Sequence, residues 1–318
     1  MKKLLMVLSI IGFMFAEGKI SGVTYFDFSA TDTKSAFKFQ RQYFGYGGEV
    51  SDQVSYKILF DVGRTNLGTA LNKEGNEISE DTRLVVFLKK AQVNYKSSFG
   101  KFNFGLIGMN TYGIQESNWG YRFIEQSAID KYKFSATADI GVGFSKSLIG
   151  NLNLSLLFVN GEGFKKSQGD KYHKIAFNTT YGEGNLNKND GYNAGVVYTT
   201  ESTDTDPTTM TSVFGGFAGM GLRLGGEYDM RTKGSVESNI ISVSANYTVR
   251  DNIDIFARYD IVDDNDNTEK NGENYLITGI VLSCDGGISV APNLRMVNYE
   301  NTDKDSEMEY KVNLQFKF

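Results

Sequence analysis

The last twelve residues of the chain alternate strictly between two kinds of side chain. One row is apolar and the other is wholly polar: Met308, Tyr310, Val312, Leu314, Phe316 and Phe318 against Glu307, Glu309, Lys311, Asn313, Gln315 and Lys317. A repeat of two predicts a β-strand with one apolar face and one face in water. Such a strand could belong to a membrane barrel, but an ordinary amphipathic edge strand shows the same repeat. The rest of the chain has to distinguish these two possibilities.

The first sixteen residues predict an export signal. Met1-Lys2-Lys3 is a short basic region, residues 4–15 are mostly apolar, and Ala16 is a small residue suited to cleavage. Met14 fits the cleavage pattern poorly, so the start of the mature chain near Glu17 is an expectation. No later stretch approaches the ~20 consecutive apolar residues of a membrane helix. If the chain spans a membrane, it does so as a closed barrel, because only helices and closed barrels satisfy their backbone groups in lipid.

Composition narrows the function classes. The chain has 35 Gly, 18 Tyr and 23 Phe but only 2 Pro, and aromatic residues make up 13%, which suits the two aromatic girdles of a membrane barrel. Cys284 is the single cysteine, so no disulfide framework exists. The net charge of −5 becomes −7 once Lys2 and Lys3 are removed. That balance, without a basic stripe, argues against a nucleic-acid partner.

The alternation recurs in sixteen segments. They cover about 19–30, 36–48, 53–65, 83–97, 101–110, 136–147, 151–161, 172–182, 191–201, 210–220, 222–232, 238–249, 252–262, 273–284, 287–300 and 307–318. Short and long connections alternate along the chain. Every second connection is mostly short, and the connections between them include longer, more polar ones: 66–82, 111–135, 162–171, 202–209, 263–272 and 301–306. We therefore predict an all-β fold for residues 17–318, a transmembrane antiparallel β-barrel of about sixteen strands.

The facing of charged residues predicts a wet interior. On one strand Leu222, Leu224, Tyr228 and Met230 face out, and Arg223, Glu227, Asp229 and Arg231 face in; on another Ile255, Tyr259 and Ile261 face out, and Asp254, Arg258 and Asp260 face in. Charges at successive inward positions are incompatible with a dry core. A sixteen-stranded barrel is wide enough to hold a water channel.

Two residues disturb the pattern. Pro292 lies within a predicted strand of a barrel that has no edge, and we expect a bulge there. Lys89 falls among Val85, Phe87, Ala91 and Val93, which we place outward. It either lies near an interface and snorkels or marks another bulge.

The whole mature chain resembles bacterial outer-membrane porins. The terminal Phe318, the sixteen strands and the long segment 111–135, which contains Trp119, carry this resemblance. Within the porins, residues 101–108 (Lys-Phe-Asn-Phe-Gly-Leu-Ile-Gly) and 119–125 (Trp-Gly-Tyr-Arg-Phe-Ile-Glu) are similar to the phosphate-selective porin O/P-like group. The acidic overall balance departs from what an anion-selective pore suggests.

The resemblance implies a set of roles and partners. Loop 111–135 would fold into the lumen as a constriction, with Arg122, Glu125, Asp130 and Lys131 as its charged residues. Pore-wall charges would be Lys174, Arg223, Glu227, Asp229, Arg258, Asp260 and Arg295, unless the cations merely pair with the wall carboxylates. Phe318 would be part of the signal read by the barrel-assembly machinery. A homotrimer in the outer membrane, in contact with the lipid bilayer and lipopolysaccharide, would pass small hydrophilic solutes or ions without a cofactor.

Other functions receive less support from the sequence. Residues 263–267 resemble a calcium loop but lack its glycine and closing glutamate, so we expect no metal site. His173 is the single histidine, and no nucleophile elbow accompanies it, so we expect no enzyme. The main alternative is a non-conducting barrel that acts as a surface adhesin or structural protein through its acidic loops.

Overall fold

The computed structural model describes residues 18–64, 69–71, 77–80 and 83–318. Sixteen antiparallel strands form a closed barrel: β1 Lys19–Ala30, β2 Ser35–Glu49, β3 Val54–Arg64, β6 Leu84–Lys96, β7 Lys101–Gly108, β8 Ala138–Ser147, β9 Leu152–Val159, β10 Lys174–Gly182, β11 Gly191–Glu201, β12 Thr208–Gly219, β13 Leu222–Lys233, β14 Val236–Arg250, β15 Ile253–Asp263, β16 Glu273–Cys284, β17 Ile288–Tyr299 and β18 Glu307–Lys317. Two short strands, β4 Thr69–Leu71 and β5 Glu77–Glu80, pair with each other outside the barrel. The predicted fold class and the strand count are therefore confirmed. The predicted signal peptide, residues 1–16, lies outside the described residues.

The two ends of the chain close the barrel. Strand β1 pairs with β18 from Val23–Lys317 to Ala30–Tyr310. Beyond the last strand residue, the N–H of Phe318 donates to the carbonyl oxygen of Gly22 (3.1 Å), and the N–H of Gly22 donates to Phe318 (3.0 Å). Every strand of the barrel thus has two neighbours, so the barrel has no open edge that could pair with another chain.

The connections differ at the two ends of the barrel. The end that carries both termini, called the short end here, has turns such as 97–100, 220–221 and 251–252. The opposite end, called the long end, carries most of the longer connections, including 160–173 and 264–272. No helix in the described part of the chain is long and apolar enough to cross a membrane.

Large apolar side chains cover the outside of the barrel. Ile255, Tyr259 and Ile261 are exposed there, while Arg258 and Asp260 between them are buried inside. The same alternation holds on β13, where Leu224 and Tyr228 face out and Asp229 faces in. The predicted facing of both strands is confirmed, and each strand presents an apolar belt outward.

One part of the inner wall is apolar, which the charged rows did not indicate. Phe256, Tyr275, Ile277 and Val281 face inward from β15 and β16 and are buried. Residues 273–284 are largely apolar on both faces, and a strand buried on both faces reads as such a run. This sector therefore has to be covered from within the barrel.

The barrel contains two β-bulges, and one of them corrects the expected facing of residues near Lys89. The pairing of β3 with β6 shifts between Leu59 and Phe60, so that one extra residue, Lys89, is inserted opposite them. Val86 and Leu88 are exposed on the outside, Lys89 is buried inside, and the outward placement of Val85 and Phe87 was wrong. A second shift, between Tyr25 and Phe26, inserts Gln40 into β2.

The expectation of a bulge at Pro292 was wrong. Pairing with β16 is interrupted beside Pro292, but Gly279–Asn293 and Leu282–Val290 keep the same register on either side. Pro292 also stays in register with Val312 of β18. The strand therefore tolerates the missing N–H through a local gap in the ladder, without an inserted residue.

Candidate functional site: a loop on the inner wall

Residues 109–137, called the inner loop here, connect β7 to β8 and contain two short helices, α1 Gly113–Trp119 and α2 Ala128–Lys131. The loop contacts inward-facing residues of distant strands. Asn118 and Asn193 of β11 exchange amide hydrogen bonds of 2.9 Å. Gln115 donates to Ser212 of β12 (3.3 Å). These partners lie 75 and 97 residues away in sequence, so α1 lies against the inner wall.

Glycines in the wall let α1 approach closely. A Cβ atom on Gly216 of β12 would lie 2.7 Å from the side-chain amide of Asn118, and one on Gly225 of β13 would lie 3.1 Å from the Cβ of Asn118. Gly216 and Gly225 pair with each other across the strands. Only a wall without side chains at this pair leaves room for the helix.

An aromatic cluster anchors the turn after α1. Trp119 is 3% exposed and packs edge-on against Phe256 (5.8 Å between ring centroids) and Tyr121 (5.6 Å). Such edge-to-face pairs each contribute about 0.5–1.5 kcal/mol beyond their buried area. The Trp119 N–H donates to the carbonyl oxygen of Glu125 (2.9 Å), and the Tyr121 hydroxyl donates to Asp254 (2.8 Å). The apolar sector of the wall is therefore covered by the loop.

Arg295 of β17 and Glu125 form the first of two ionic anchors. Their side chains meet at 2.9 Å, Arg295 also donates to the carbonyl oxygen of Ile124 (2.6 Å), and the Tyr275 hydroxyl donates to Glu125 (2.9 Å). Burial alone would raise the pKa of Glu125, but the charges of Arg295, Lys131 and Arg258 outweigh it. The pKa therefore lies below its usual 4.5, and the carboxylate is held ionised.

Arg258 of β15 forms the second anchor. It makes a bidentate pair with Asp260 (2.8 and 2.7 Å), in which both side chains are almost fully buried. Its remaining N–H group donates to the carbonyl oxygen of Gln126 in the loop. Asp260 also accepts from Ser242 (2.6 Å) and from Tyr132 of the loop (3.3 Å). Every strong donor of Arg258 is thus committed to the wall or the loop.

Arg122 ties together the two limbs of the loop. It lies 3.0 Å from Glu116 of α1 and 3.3 Å from Asp130 of α2. Burial raises the pKa of Glu116, and Arg122 opposes that rise. Lys131 instead donates to the Tyr132 hydroxyl (2.8 Å) and lies 3.9 Å from the centre of the Tyr275 ring. The four predicted constriction residues therefore fall into two groups, Arg122 with Asp130 and Glu125 with Lys131.

The remaining predicted wall residues do not form one cluster. Lys174 pairs with Glu201 near the long end (2.8 Å), whereas Arg223 donates to Asn187 near the short end (2.9 Å). Glu227 lines a small void together with Trp119 and Arg258, and Asp229 is fully buried on the same strand. Phe318 is exposed at the short end, beside Phe316.

The bulges bring together a charged group that the sequence analysis did not assign to the pore. Lys89 donates to the Tyr43 hydroxyl (3.0 Å) and lies 3.9 Å from Asp61. Arg41 donates to the same hydroxyl (2.7 Å) and lies 3.4 Å from Asp61. The signal for it was the broken alternation at Lys89, for which a bulge was one of two interpretations. We call Arg41, Tyr43, Asp61 and Lys89 the bulge cluster.

Comparison with known proteins supports the fold alone. No protein-family model matches the sequence, and no curated protein matches it. Among solved structures, the chain is similar to OmpF of Salmonella typhi in complex with daunomycin (TM-score 0.68, 13% identity, 95% of this chain and 98% of that chain). It is also similar to an anion-selective porin from Comamonas acidovorans (0.64, 10%, 95% and 100%) and to the trimer form of in-vitro folded OmpT of Vibrio cholerae (0.59, 13%, 95% and 99%). The fold is therefore the sixteen-stranded closed barrel that the chain shares with these bacterial outer-membrane proteins.

Proposed function

We propose that the protein is an outer-membrane porin that lets small hydrophilic solutes or ions diffuse passively through its barrel. The observation that carries this proposal is a closed barrel whose outer belt is apolar and whose lumen holds a loop fixed to one side of the wall. Lipid suits the belt because the closed barrel has no open strand edge. The loop narrows the lumen and leaves a polar path along the opposite wall.

The bulge cluster is the proposed charge filter of this path. Arg41 and Lys89 stand on β2 and β6, which lie across the closed barrel from β12 and β14. The wall cations Arg258 and Arg295 are bound to carboxylates and loop carbonyls, so their charge is largely neutralised. Two cations around the single carboxylate Asp61 favour anions in a narrow, weakly screened passage.

The resemblance to phosphate-selective porins narrows the proposal further. It predicts that phosphate permeates better than sulfate or chloride, with Arg122 and the bulge cluster as its contacts. Phosphate added during a chloride conductance measurement would then reduce the current at low concentration. If phosphate and sulfate reduce it equally, the protein is a general anion channel and this narrower proposal fails.

The remaining proposals concern export and assembly. An export signal at 1–16 would take the chain to the periplasm, and Phe318, which is exposed and paired to β1, is available to the barrel-assembly machinery. A homotrimer in the outer membrane, in contact with lipopolysaccharide, is proposed from the trimeric OmpT neighbour. Cross-linking of the protein in cells, followed by a denaturing gel without boiling, tests the trimer.

Liposome swelling tests diffusion directly. Mature protein reconstituted into vesicles is diluted into solutions of uncharged solutes of increasing size. We expect swelling rates that fall steeply with solute size, and no swelling with boiled protein. A barrel that migrates differently before and after boiling, yet gives no swelling with any solute, would overturn diffusion.

One observation favours the alternative of a non-conducting barrel. The inner loop builds a buried apolar core against β11, β12, β14 and β15, with Ile129, Met210, Phe214 and Ile240 among its members. If the loop also blocked the remaining path, the acidic connections at the long end would be the functional surface. Absence of swelling, together with binding of cells to immobilised host matrix, would support that role.

A further inference from the structure

A cavity of about 680 Å³ opens between the inner wall and the start of α1. Its lining combines polar and apolar side chains. The polar ones include Lys101, Lys146, Asn110, Ser145, Asn178 and Thr180, and the apolar ones are Phe99, Ile114 and Leu154. The turn 97–100 also borders it, which places the cavity at the short end of the barrel. Its volume falls in the range of small-molecule sites.

The polar groups form a row across four adjacent strands. Lys101 of β7 pairs with Ser145 of β8, Ser145 pairs with Ser155 of β9, and Ser155 pairs with Asn178 of β10. With strands about 4.8 Å apart, the row spans about 14 Å. A second row, Ser147, Asn153 and Thr180, lies two residues nearer the short end. Ser155, Asn178 and Thr180 already take part in hydrogen bonds with Asn110 or with each other. An extended solute would therefore meet the donor and acceptor sites that these bonds leave, such as the second N–H of Asn178.

The charge of the cavity differs from that of the chain. The whole chain has more acidic than basic residues, 38 against 33, but no carboxylate is among the described residues that line this cavity. Glu116, the acidic residue of α1, is turned to Arg122 instead. The neighbouring wall continues in amides, since Asn103 donates to Asn94 (2.7 Å) and Asn94 to Ser55 (3.1 Å). Lys101 therefore acts in a sector without a competing acid.

We propose that this cavity is a binding site for small polyhydroxylated anions, such as sugar acids. The Lys101 ammonium would hold the carboxylate, and the serine and amide row would exchange hydrogen bonds with the hydroxyl chain. Inorganic phosphate is a poorer match, because the donors are spread along a row and do not converge on one point. The inference rests on the proposed porin function, since it names a solute class for the same channel.

Gluconate is the probe, with glucose and acetate as comparators. Glucose has hydroxyl groups without the charge, and acetate has the charge without the hydroxyl groups. Saturation-transfer NMR on the detergent-solubilised protein measures binding, and single-channel current with solute on the short-end side measures block. We expect gluconate to bind and block at concentrations about tenfold lower than either comparator, because a charge-assisted hydrogen bond adds to the neutral ones.

Two variants and one control locate the site. Lys101→Gln should lower the affinity for gluconate to that for glucose. Ser145→Val places another residue that favours β-strands at this position, and it should lower the affinity for both gluconate and glucose. Lys188→Gln removes a charge of the same sign from the 183–190 connection, outside the cavity lining, and should change neither. Equal affinity for gluconate and acetate, or unchanged binding in both variants, overturns the proposal. Absence of current alone contradicts the porin function, and the NMR result then decides whether the binding site exists.

Discussion

Arg295 shows how a predicted pore-wall charge acts as an anchor for the loop. Its guanidinium contacts Glu125, the carbonyl oxygen of Ile124, Asn293 and Asn313. Arg258 is similarly committed to Asp260 and Gln126. Both arginines were assigned to the pore wall, Arg258 also from the alternation along its strand and Arg295 from the resemblance alone, but their partners in the loop lie more than 130 residues away along the chain. Residue patterns predict the direction of a side chain, whereas its partner depends on the path of the loop.

Arg295→Ala should therefore destabilise the barrel strongly. It leaves the Glu125 carboxylate buried with the Tyr275 hydroxyl as its remaining side-chain donor, and breaking one side of a buried ion pair costs about 3 kcal/mol. Urea unfolding in detergent, followed by the fluorescence of Trp119, measures the free energy of unfolding. Arg250→Ala, at an exposed strand end, is the control and should change it by less than about 0.5 kcal/mol. Equal effects of the two variants would contradict the anchor.

Acid should release the same anchor. The pKa of Glu125 is lowered, so its stabilising charge is present above 4.5 and is lost as the pH falls through the lower folded-state value. We expect the Trp119 emission to shift to longer wavelength with a midpoint below pH 4.5. In Glu125→Gln this transition should disappear. Any change due to Glu116 would lie above 4.5, because burial raises the pKa of that carboxyl. A Glu125→Gln variant with the original low-pH transition would refute the assignment.

The selectivity of the channel is expected to depend on Lys89. Removing its charge leaves Asp61 with Arg41 as its ion-pair partner in the bulge cluster, so Lys89→Gln should lower the preference for chloride over potassium. The reversal potential across a KCl gradient gives this ratio. Lys166→Gln, exposed in the connection at the long end, should leave the potential unchanged. An unaltered potential in Lys89→Gln would remove the bulge cluster from the filter.

At the level of elements, strands were predictable and irregularities were not. Each strand has an outward apolar row, and period two identifies it without knowledge of its neighbours. The bulges at Gln40 and Lys89 depend on the register between two strands, which a single sequence does not specify. The interruption at Pro292 is a further case, since the missing N–H was predictable but its accommodation was not.

The contact between α1 and the wall is testable through one glycine. Gly216→Leu should push Asn118 and the helix away from β12, because even an added Cβ atom would lie 2.7 Å from the Asn118 side-chain amide. Such overpacking costs about 1–3 kcal/mol of stability. Trp119, the single tryptophan, should then become more accessible to acrylamide. In Gly226→Leu, where a Cβ meets nothing closer than 4.0 Å, quenching should stay at the wild-type level. Equal quenching in both variants would argue against the packing.

At the scale of the whole molecule, the barrel is asymmetric inside. The loop packs against apolar inner-wall residues from β11 to β17, and it also contacts apolar residues of β1 and, through Tyr112, of β7, β9 and β10. The proposed polar path runs past the bulge cluster on β2, β3 and β6. Residues 273–284 are apolar on both faces, and this signal for the asymmetry was not used in the prediction. The sequence predicted a long loop and a wet interior separately, and the side of the wall that the loop occupies required the structure. The central claim is therefore that an open path remains beside the loop.

Single-channel recording of the mature protein in a planar bilayer, across a KCl gradient, tests that claim most directly. We expect steady, ohmic openings and a reversal potential whose sign shows a preference for chloride over potassium. A correctly folded barrel that inserts into the bilayer and carries no current would contradict it, because the inner loop would then close the lumen completely.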